Sequence, residues 1–326
     1  MKYLSNKRAL VIFGPTATGK TQLAISLAKK FDGELISADS RQVYKGLDIG
    51  TGKVSFDAKV EKQQGYWIVD SVKIHGFDLV NPGQNFSVAD FLNNTSTSLI
   101  RISEANKLPI VVGGTGFYIK ALIDGLGSVG IPPNQKIRQE LEHLSPNQLY
   151  QKLLEINPKR ARSMNPSDRA NPRRLIRAIE IATYNQKPET RNQKLNSTNY
   201  KLPTTNYLLI CLTAPNEYLY KRADESIAKR LKHGMIEEVK NLLDHNINPM
   251  WLDNLGLEYR WISRYLLGKI SQSQAIDRLK GDTHKFIRRQ KTWFSKFPNI
   301  KLFDISKPNW QGKLEKTIQL WYNQVT

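Results

Sequence analysis

The chain has 326 residues, of which 40% are hydrophobic, so it is long enough to fold as one large domain or two smaller ones around a sizeable core. Its 49 lysines and arginines and 29 acidic residues give a net charge of +20, which favours a polyanionic partner, with nucleic acid as the first candidate and an anionic membrane surface as the second. The apolar run near the N terminus ends at Gly14 after about five residues, too short for a signal sequence or a spanning helix, so we expect a cytoplasmic protein without a membrane segment.

A strand, a glycine-rich loop and a helix follow one another near the N terminus. The apolar run 8–13 predicts a buried strand, and apolar residues at helical spacing from Thr21 onward predict a helix. The loop between them reads GPTATGKT and matches the pattern G-x-x-x-x-G-K-[ST], whose backbone N–H groups hold phosphate oxygens. Lys20 is expected to neutralise phosphate charge, and Thr21 to bind the phosphate or its Mg²⁺. The residues predicted to bind phosphate are Gly14, Pro15, Thr16, Ala17, Thr18, Gly19, Lys20 and Thr21.

A second apolar run, GELISADS, predicts a parallel strand that ends at Asp39 and Ser40. Ligands of open α/β sheets bind at the carboxyl ends of the strands, so Asp39 is expected to face the bound phosphates. An aspartate after a strand is more often a helix cap or a turn residue, and the residues alone leave this alternative open.

The strand predicted at 110–112 runs directly into GGTG, residues 113–116. A nucleotide kinase would ordinarily carry a carboxylate there to help hold Mg²⁺, so its absence disfavours ordinary hydrolysis of a nucleoside triphosphate, although Asp39 or Asp48 could replace that acid. The glycines allow a ligand to approach the backbone closely, and Thr115 supplies a hydroxyl. A purely structural turn is the alternative.

The fold class predicted from these elements is α/β. The apolar run 207–215 predicts another buried strand, in which the single cysteine, Cys211, is a small hydrophobic residue. Residues 1–127 and 204–326 therefore predict a parallel sheet with helices on both faces, of the P-loop NTPase type.

Two segments interrupt the pattern of the sheet. Alternating residues between 53 and 78 predict a hairpin-like excursion beside the site, and its role is not evident. Residues 128–203 are polar and basic, with helical periodicity that gives way to a polar stretch. They predict a small helical insertion domain that binds RNA and ends in an exposed link.

The insertion is the main candidate for RNA binding. Its segment 159–177 has seven basic residues and one acidic residue, although a solvated helix face is the usual explanation of such a charge run. Near the C terminus, residues 283–296 alternate basic and aromatic side chains, and we expect the aromatic ones to pack inside and the cations to face RNA. The insertion residues expected to contact RNA phosphates are Arg173, Arg174 and Arg177.

Six motifs, in order, resemble those of the tRNA dimethylallyltransferases, also called tRNA isopentenyltransferases. The segments are GPTATGKTQLA, ISADSRQVYKGLDIGTGK, FSVADF, PIVVGGTGFYIKALIDGL, RRLIRAIEI and RQKTWF. Their order and spacing are similar to the family pattern from Leu10 to about Phe294, and six ordered motifs are far more specific than the phosphate loop alone.

The resemblance implies a prenyl transfer. The family moves the dimethylallyl group of dimethylallyl diphosphate to N6 of adenosine 37, next to the anticodon, in tRNAs that read codons starting with U. It implies that the phosphate loop holds a diphosphate leaving group with Mg²⁺, and that the anticodon stem-loop of tRNA is the partner. A monomer is expected.

The resemblance also implies roles for individual residues. Asp39 of ISADS corresponds to the general base that takes the proton from N6, and Thr16, Lys20 and Thr115 are the other implied catalytic residues. Arg222 of LYKRADESIAKR matches a position that contacts the diphosphate. The residues that would contact tRNA are Asp39, Ser40, Arg41, Gln42, Thr115 and Arg138, together with the three insertion arginines.

The sequence departs from the family pattern at two places near the site. Many members have a second arginine four residues after the first, where this chain has Ser226, with Arg230 one turn further on. The usual GYKE or GYRE segment reads GLEYR, residues 256–260. Three other functions share features with this sequence: a P-loop small-molecule kinase, an adenylate isopentenyltransferase acting on free nucleotides, and a non-catalytic RNA-binding module.

Overall fold

The chain forms two compact units in this computed structural model. One comprises Met1–Ile123 and Leu202–Thr326, and the other comprises Asp124–Lys201. The borders predicted at 127/128 and 203/204, and most of the predicted polar link, lie outside the residues that the structure describes. The described residues are 8–125, 131, 133–186 and 206–324.

Among the described residues, eight strands form one mixed sheet. The strands are β1 (Arg8–Phe13), β2 (Gly33–Ser37), β3 (Val60–Gln63), β4 (Tyr66–Val69), β5 (Val72–His75), β6 (Leu108–Gly113), β7 (Asn206–Thr213) and β8 (Lys301–Asp304). Their order across the sheet is β3-β4-β5-β2-β6-β1-β7-β8. All neighbours from β5 to β8 pair in parallel, whereas β3 and β4 add antiparallel pairs at the other edge. The predicted excursion at 53–78 therefore continues the sheet as three short strands.

The helices divide between the two units. In the larger unit they are α1 (Lys20–Lys30), α2 (Val88–Glu104) and α3 (Gly116–Asp124) before the insertion. The smaller unit contains α4 (Gln135–Leu141), α5 (Pro146–Ile156), α6 (Pro158–Ser163), α7 (Pro166–Arg169) and α8 (Pro172–Gln186). The remaining helices of the larger unit are α9 (Asn216–Lys232), α10 (Met235–Asp244), α11 (Pro249–Leu255), α12 (Leu257–Leu266), α13 (Gln272–Phe294) and α14 (Trp310–Asn323).

The central strands are apolar along their length because both faces of the sheet are covered. Leu10 and Ile12 of β1 pack in one cluster with Leu23 and Leu27 of α1. Val11 points to the opposite face and is also fully buried. The predicted α/β fold is confirmed.

The start signals of the smaller unit's helices are visible in the sequence. In four of them an asparagine or serine side chain accepts a hydrogen bond from a backbone N–H of the first turn, as is typical of helix caps. Leucines of α5 and α8 then pack together, among them Leu149, Leu153 and Leu175. The caps are Asn134, Ser145, Asn157 and Asn165, and a proline follows each of the last three.

Candidate active site

A cavity of about 470 Å³ lies at the carboxyl ends of β1, β2 and β6, within the larger unit. Its walls come from the phosphate loop, from the residues after β2, from the glycine loop after β6, from residues 51–58 and from one face of α9. Lys20, Asp39 and Gly114 therefore share one cavity, as the positions of the strand ends predict. The charged and amide side chains in its lining are Lys20, Gln22, Asp39, Arg41, Gln42, Arg222, Glu225, Lys229, Arg230, Glu258 and Gln290.

The phosphate loop takes its shape from three residues with positive φ. These are Gly14 at 151°, Ala17 at 66° and Gly19 at 77°. A side chain on Gly14 would place its Cβ 2.4 Å from the carbonyl oxygen of Leu212, so only glycine fits there. Within the loop, the Thr18 hydroxyl donates to the Pro15 carbonyl at 2.8 Å.

Five of the eight loop residues predicted to bind phosphate line the cavity, and three do not. Thr18 is buried, and its hydroxyl is committed to the loop's own backbone, so it shapes the loop. Arg222 of α9 also lines the cavity, and its Nε donates to the Ala17 carbonyl at 2.8 Å. The loop residues in the lining are Thr16, Ala17, Gly19, Lys20 and Thr21, and those outside it are Gly14, Pro15 and Thr18.

Lys20 is an unusually weak base. Burial lowers its pKa to about 8, and the opposing effect of the Asp39 carboxylate does not restore the ordinary value. Its Nζ donates to the Pro15 carbonyl at 2.7 Å.

Cys211 is buried in β7, as predicted, and burial raises the pKa of its thiol to about 12, so the thiol stays protonated.

Asp39 both shapes a turn and faces the cavity. Its Oδ1 accepts the backbone N–H of Arg41 at 2.9 Å, and the side chain is only partly buried. Both interpretations of Asp39 from the sequence are therefore compatible with the geometry. Gln42 also lines the cavity, and its Oε1 accepts from the Ser37 hydroxyl at 2.8 Å.

Thr115 joins the segment after β2 to the loop after β6. Its Oγ1 accepts the backbone N–H of Ser40 at 3.0 Å, and its own N–H donates to the Ala38 carbonyl at 3.2 Å. Neither Thr115 nor Ser40 is in the cavity lining. The catalytic role of Thr115 and the tRNA contact of Ser40 stay predictions, while the structure gives both a part in holding the two loops together.

Gln290 of α13 is a site residue that the sequence analysis missed. Its Oε1 accepts the backbone N–H of Thr16, and its Nε2 donates to the Gly114 carbonyl, each at 2.9 Å. One buried amide thus ties the phosphate loop to the glycine loop. The available signal was its place in the RQKTWF motif, four residues before the buried Phe294 on the same face of the helix.

A carboxylate and two arginines form a second feature missed in the sequence. Glu258, within GLEYR, accepts from Arg41 Nη1 at 2.8 Å and from Arg230 Nη1 at 2.7 Å. Arg230 also donates to the Gly50 carbonyl. Ser226 lines the cavity where many family members are expected to carry arginine, but the neighbouring Arg230 is held by Glu258.

Arginines of the smaller unit have intramolecular partners. Arg138 and Arg177 both pair with the buried Glu180, at 2.8 and 3.1 Å, and Arg174 pairs with Asp168. Arg173 lies on the exposed side of α8. RNA contact by these four arginines stays a prediction, and for Arg138 and Arg177 the structure adds a role in neutralising Glu180.

Aromatic residues of the C-terminal basic segment are only partly internal. Phe294 is buried, as predicted, but Phe286 is half-buried and lines the cavity. Lys291 donates to the Ala214 carbonyl at 3.0 Å, and RNA contact by the cations of this segment stays a prediction. Arg289 is exposed.

Two further findings concern metals and membranes. Among residues 8–125, 131, 133–186 and 206–324, no three His, Cys, Asp or Glu side chains lie together in a way that could hold a metal ion. None of the helices in the described part of the chain combines the length and apolarity needed to cross a bilayer.

The fold and the cavity define a P-loop-like α/β protein whose phosphate loop opens beside a carboxylate. The sequence model of the family described as IPP transferase matches residues 42–297. The chain therefore belongs to the IPP transferase family.

Individual members of this family are similar to the chain over most of its length. A tRNA dimethylallyltransferase 1 from Geotalea daltonii is 39% identical over 287 residues, which cover 88% of this chain and 86% of the relative. A tRNA dimethylallyltransferase from Thermomicrobium roseum is 34% identical over 320 residues, or 96% and 92% of the two chains. The solved tRNA isopentenylpyrophosphate transferase of Bacillus halodurans superposes with a TM-score of 0.67 at 32% identity, covering 97% of each chain.

A more distant structure shows the fold alone. It belongs to a eukaryotic dimethylallyltransferase acting on tRNA, with a TM-score of 0.75 and 24% identity over 97% of this chain and 80% of that one.

The lowered pKa of Lys20 predicts pH-dependent binding of inorganic diphosphate. Lys20 is charged below about pH 8 and neutral above it, so affinity should fall as the pH rises through 8, and binding near pH 8 should take up protons. Calorimetric titration in two buffers of different ionisation enthalpy measures this uptake. Lys20→Arg is the control, because arginine stays charged and the titration of diphosphate itself is common to both proteins. Equal proton uptake by both proteins would contradict the prediction.

Proposed function

We propose that this protein transfers the dimethylallyl group from dimethylallyl diphosphate to N6 of adenosine 37 of tRNAs that read codons starting with U. The products are N6-(dimethylallyl)adenosine and diphosphate. The observation that carries the proposal is that the phosphate loop and Asp39 line one cavity in a member of the IPP transferase family. The proposal also rests on the names of the relatives, which are tRNA dimethylallyltransferases.

The reaction makes one bond and breaks one bond. The N6–C1 bond forms, the C1–O bond to diphosphate breaks, and the proton on N6 passes to a base. Adenine N6 is a weak nucleophile because its lone pair is delocalised into the ring, so a base against its N–H assists the attack. We assign this role to Asp39, and its place in the lining of the cavity that the phosphate loop also lines supports the assignment.

The leaving diphosphate gains negative charge as the C1–O bond breaks. Lys20, Thr16 and Arg222 line the part of the cavity where that charge would develop, and preorganised donors of this kind stabilise a transition state more than a ground state. Thr21 would supply one hydroxyl oxygen to Mg²⁺, which suits a cation that takes its other ligands from phosphate oxygens and water. Mg²⁺ bound there would add positive charge at the leaving group.

The adenosine has to leave its stack in the anticodon loop to reach the cavity. We assign the contacts with the displaced nucleotide to Asp39, Ser40, Arg41 and Gln42, and further tRNA contacts to Thr115 and Arg138. The net charge of +20 and the basic helix α8 support an RNA partner, whose anticodon stem would meet Arg173, Arg174 and Arg177. A small-molecule kinase is not favoured, because β6 ends at Gly113 and no acidic residue stands among the loop residues 114–116 that follow it.

Asp39→Asn should lower turnover by about 10²-fold or more, because the amide cannot accept the proton from N6. Binding of tRNA should stay nearly intact. The measurement is the rate of N6-prenyl adenosine formation, with filter-binding affinity for tRNA measured in parallel. Asp244→Asn, an equal charge change at an exposed site at the end of α10, is the control and should behave as wild type. Unchanged turnover in Asp39→Asn would remove Asp39 from the mechanism.

Reversing the charge of Arg173 and Arg174 together should weaken tRNA binding and flatten its dependence on salt, because fewer counterions are released on binding. Affinity for dimethylallyl diphosphate should not change. The matched control reverses two exposed lysines of α14, Lys313 and Lys316, which changes the net charge equally. If both double variants lose the same affinity, general charge rather than α8 attracts the tRNA.

A further inference from the structure

The ion pairs of Glu258 lie almost out of water. Glu258 is 3% exposed, and the side chains of Arg41 and Arg230 are 16% and 11% exposed. Burial opposes ionisation of a carboxyl group, but the two guanidinium groups outweigh it and hold the pKa of Glu258 below its ordinary value. Glu258 therefore carries a full negative charge at neutral pH. Removing one partner of such a buried set leaves charges without compensation.

The backbone before Glu258 adopts an unfavourable conformation. Gly256 has φ 83° and Leu257 has φ 46°, and the left-handed region disfavours a leucine. This turn begins α12 and brings Glu258 to the wall of the cavity. The next residue, Tyr259, is buried, and its hydroxyl donates to Glu238 at 2.8 Å. A strained residue persists where surrounding contacts fix it, which is common at functional sites.

Glu258 is connected to Asp39 through a single residue. The guanidinium of Arg41 is held by Glu258, and the backbone N–H of the same Arg41 donates to Asp39 Oδ1 at 2.9 Å. The orientation of the Asp39 carboxylate therefore depends on where Arg41 is held. The phosphate loop is held differently, since Thr16 donates its backbone N–H to Gln290.

Glu258 also helps to hold the backbone at Gly50, through Arg230. Arg230 donates to the Gly50 carbonyl as well as to Glu258. Glu238 accepts the backbone N–H groups of residues 48–50, at 2.6 to 2.9 Å. Arg230 of α9, Glu238 of α10 and Glu258 of α12 therefore hold the segment from Asp39 to Gly50 in place.

We infer that Glu258 is a positioning residue for the proposed transfer. It acts on Asp39 through Arg41, and on the backbone at Gly50 through Arg230. The inference rests on the proposed function. It predicts an effect on the chemical step and leaves binding of the diphosphate substrate alone, because among the described residues the Glu258 side chain pairs with Arg41 and Arg230 and not with the phosphate loop.

The test compares Glu258→Gln, Glu258→Asp and the wild type with dimethylallyl diphosphate and unmodified tRNA. The glutamine variant keeps the shape of the side chain but cannot compensate two guanidinium groups. We expect its kcat to fall about 10-fold or more, while KM for dimethylallyl diphosphate stays within about two-fold. Glu258→Asp keeps the charge but shortens the reach to the two arginines, so it should recover part of kcat. Glu237→Gln, an exposed glutamate in the first turn of α10, is the matched control with wild-type values expected.

Rates are normalised to the folded fraction from near-ultraviolet circular dichroism, because a merely structural role lowers activity only by that fraction. Wild-type kcat per folded molecule in Glu258→Gln overturns the inference, and so does a rise in KM for dimethylallyl diphosphate with unchanged kcat. If the glutamine variant does not fold, Glu258→Asp decides alone: a lower kcat with unchanged KM supports the inference, and full kcat overturns it. A wild-type protein that makes no prenylated adenosine refutes the proposed function instead.

Discussion

The site depends on the close approach of three loops at the carboxyl edge of the sheet. A Cβ on Gly14 would lie 2.4 Å from the Leu212 carbonyl, and a Cβ on Gly113 would lie 2.2 Å from the Ala38 carbonyl. No side chain fits at either position, so the backbones of neighbouring strands can run into loops that nearly touch. Gln290 then bonds to two of these loops, and Lys20 and Asp39 consequently share one cavity.

Charge inside the cavity is balanced more closely than charge over the whole chain. The protein has a net charge of +20, yet Asp39, Glu225 and Glu258 line the cavity together with its cations. Burial weakens Lys20 as a base, and an anion in the phosphate loop would restore its charge. Glu258 holds two of the arginines in fixed positions. This distribution of charge suits the proposed substrates, a diphosphate at the phosphate loop and a neutral base beside Asp39.

Local patterns in the sequence predicted the strands, the helices and the location of the site. They could not predict contacts between residues that are far apart in the chain. Apolar periodicity and strand ends located β1, β2, β6 and the loop after each of them. Gln290 lies 274 residues from Thr16, and Glu258 lies 217 residues from Arg41, so only tertiary packing decides these partners. Position 226 illustrates the same limit, because the sequence shows Arg230 one turn after Ser226 but does not show that Glu258 holds this arginine.

The central claim is that the phosphate loop holds a diphosphate that is expelled, not a phosphoryl group that is transferred. Incubation with dimethylallyl diphosphate labelled in the prenyl group, Mg²⁺ and unmodified tRNA, followed by mass analysis of the nucleosides, tests it directly. We expect labelled N6-prenyl adenosine at position 37, with one diphosphate released per prenyl group and no consumption of ATP. Turnover of ATP without any prenylated nucleoside would contradict it.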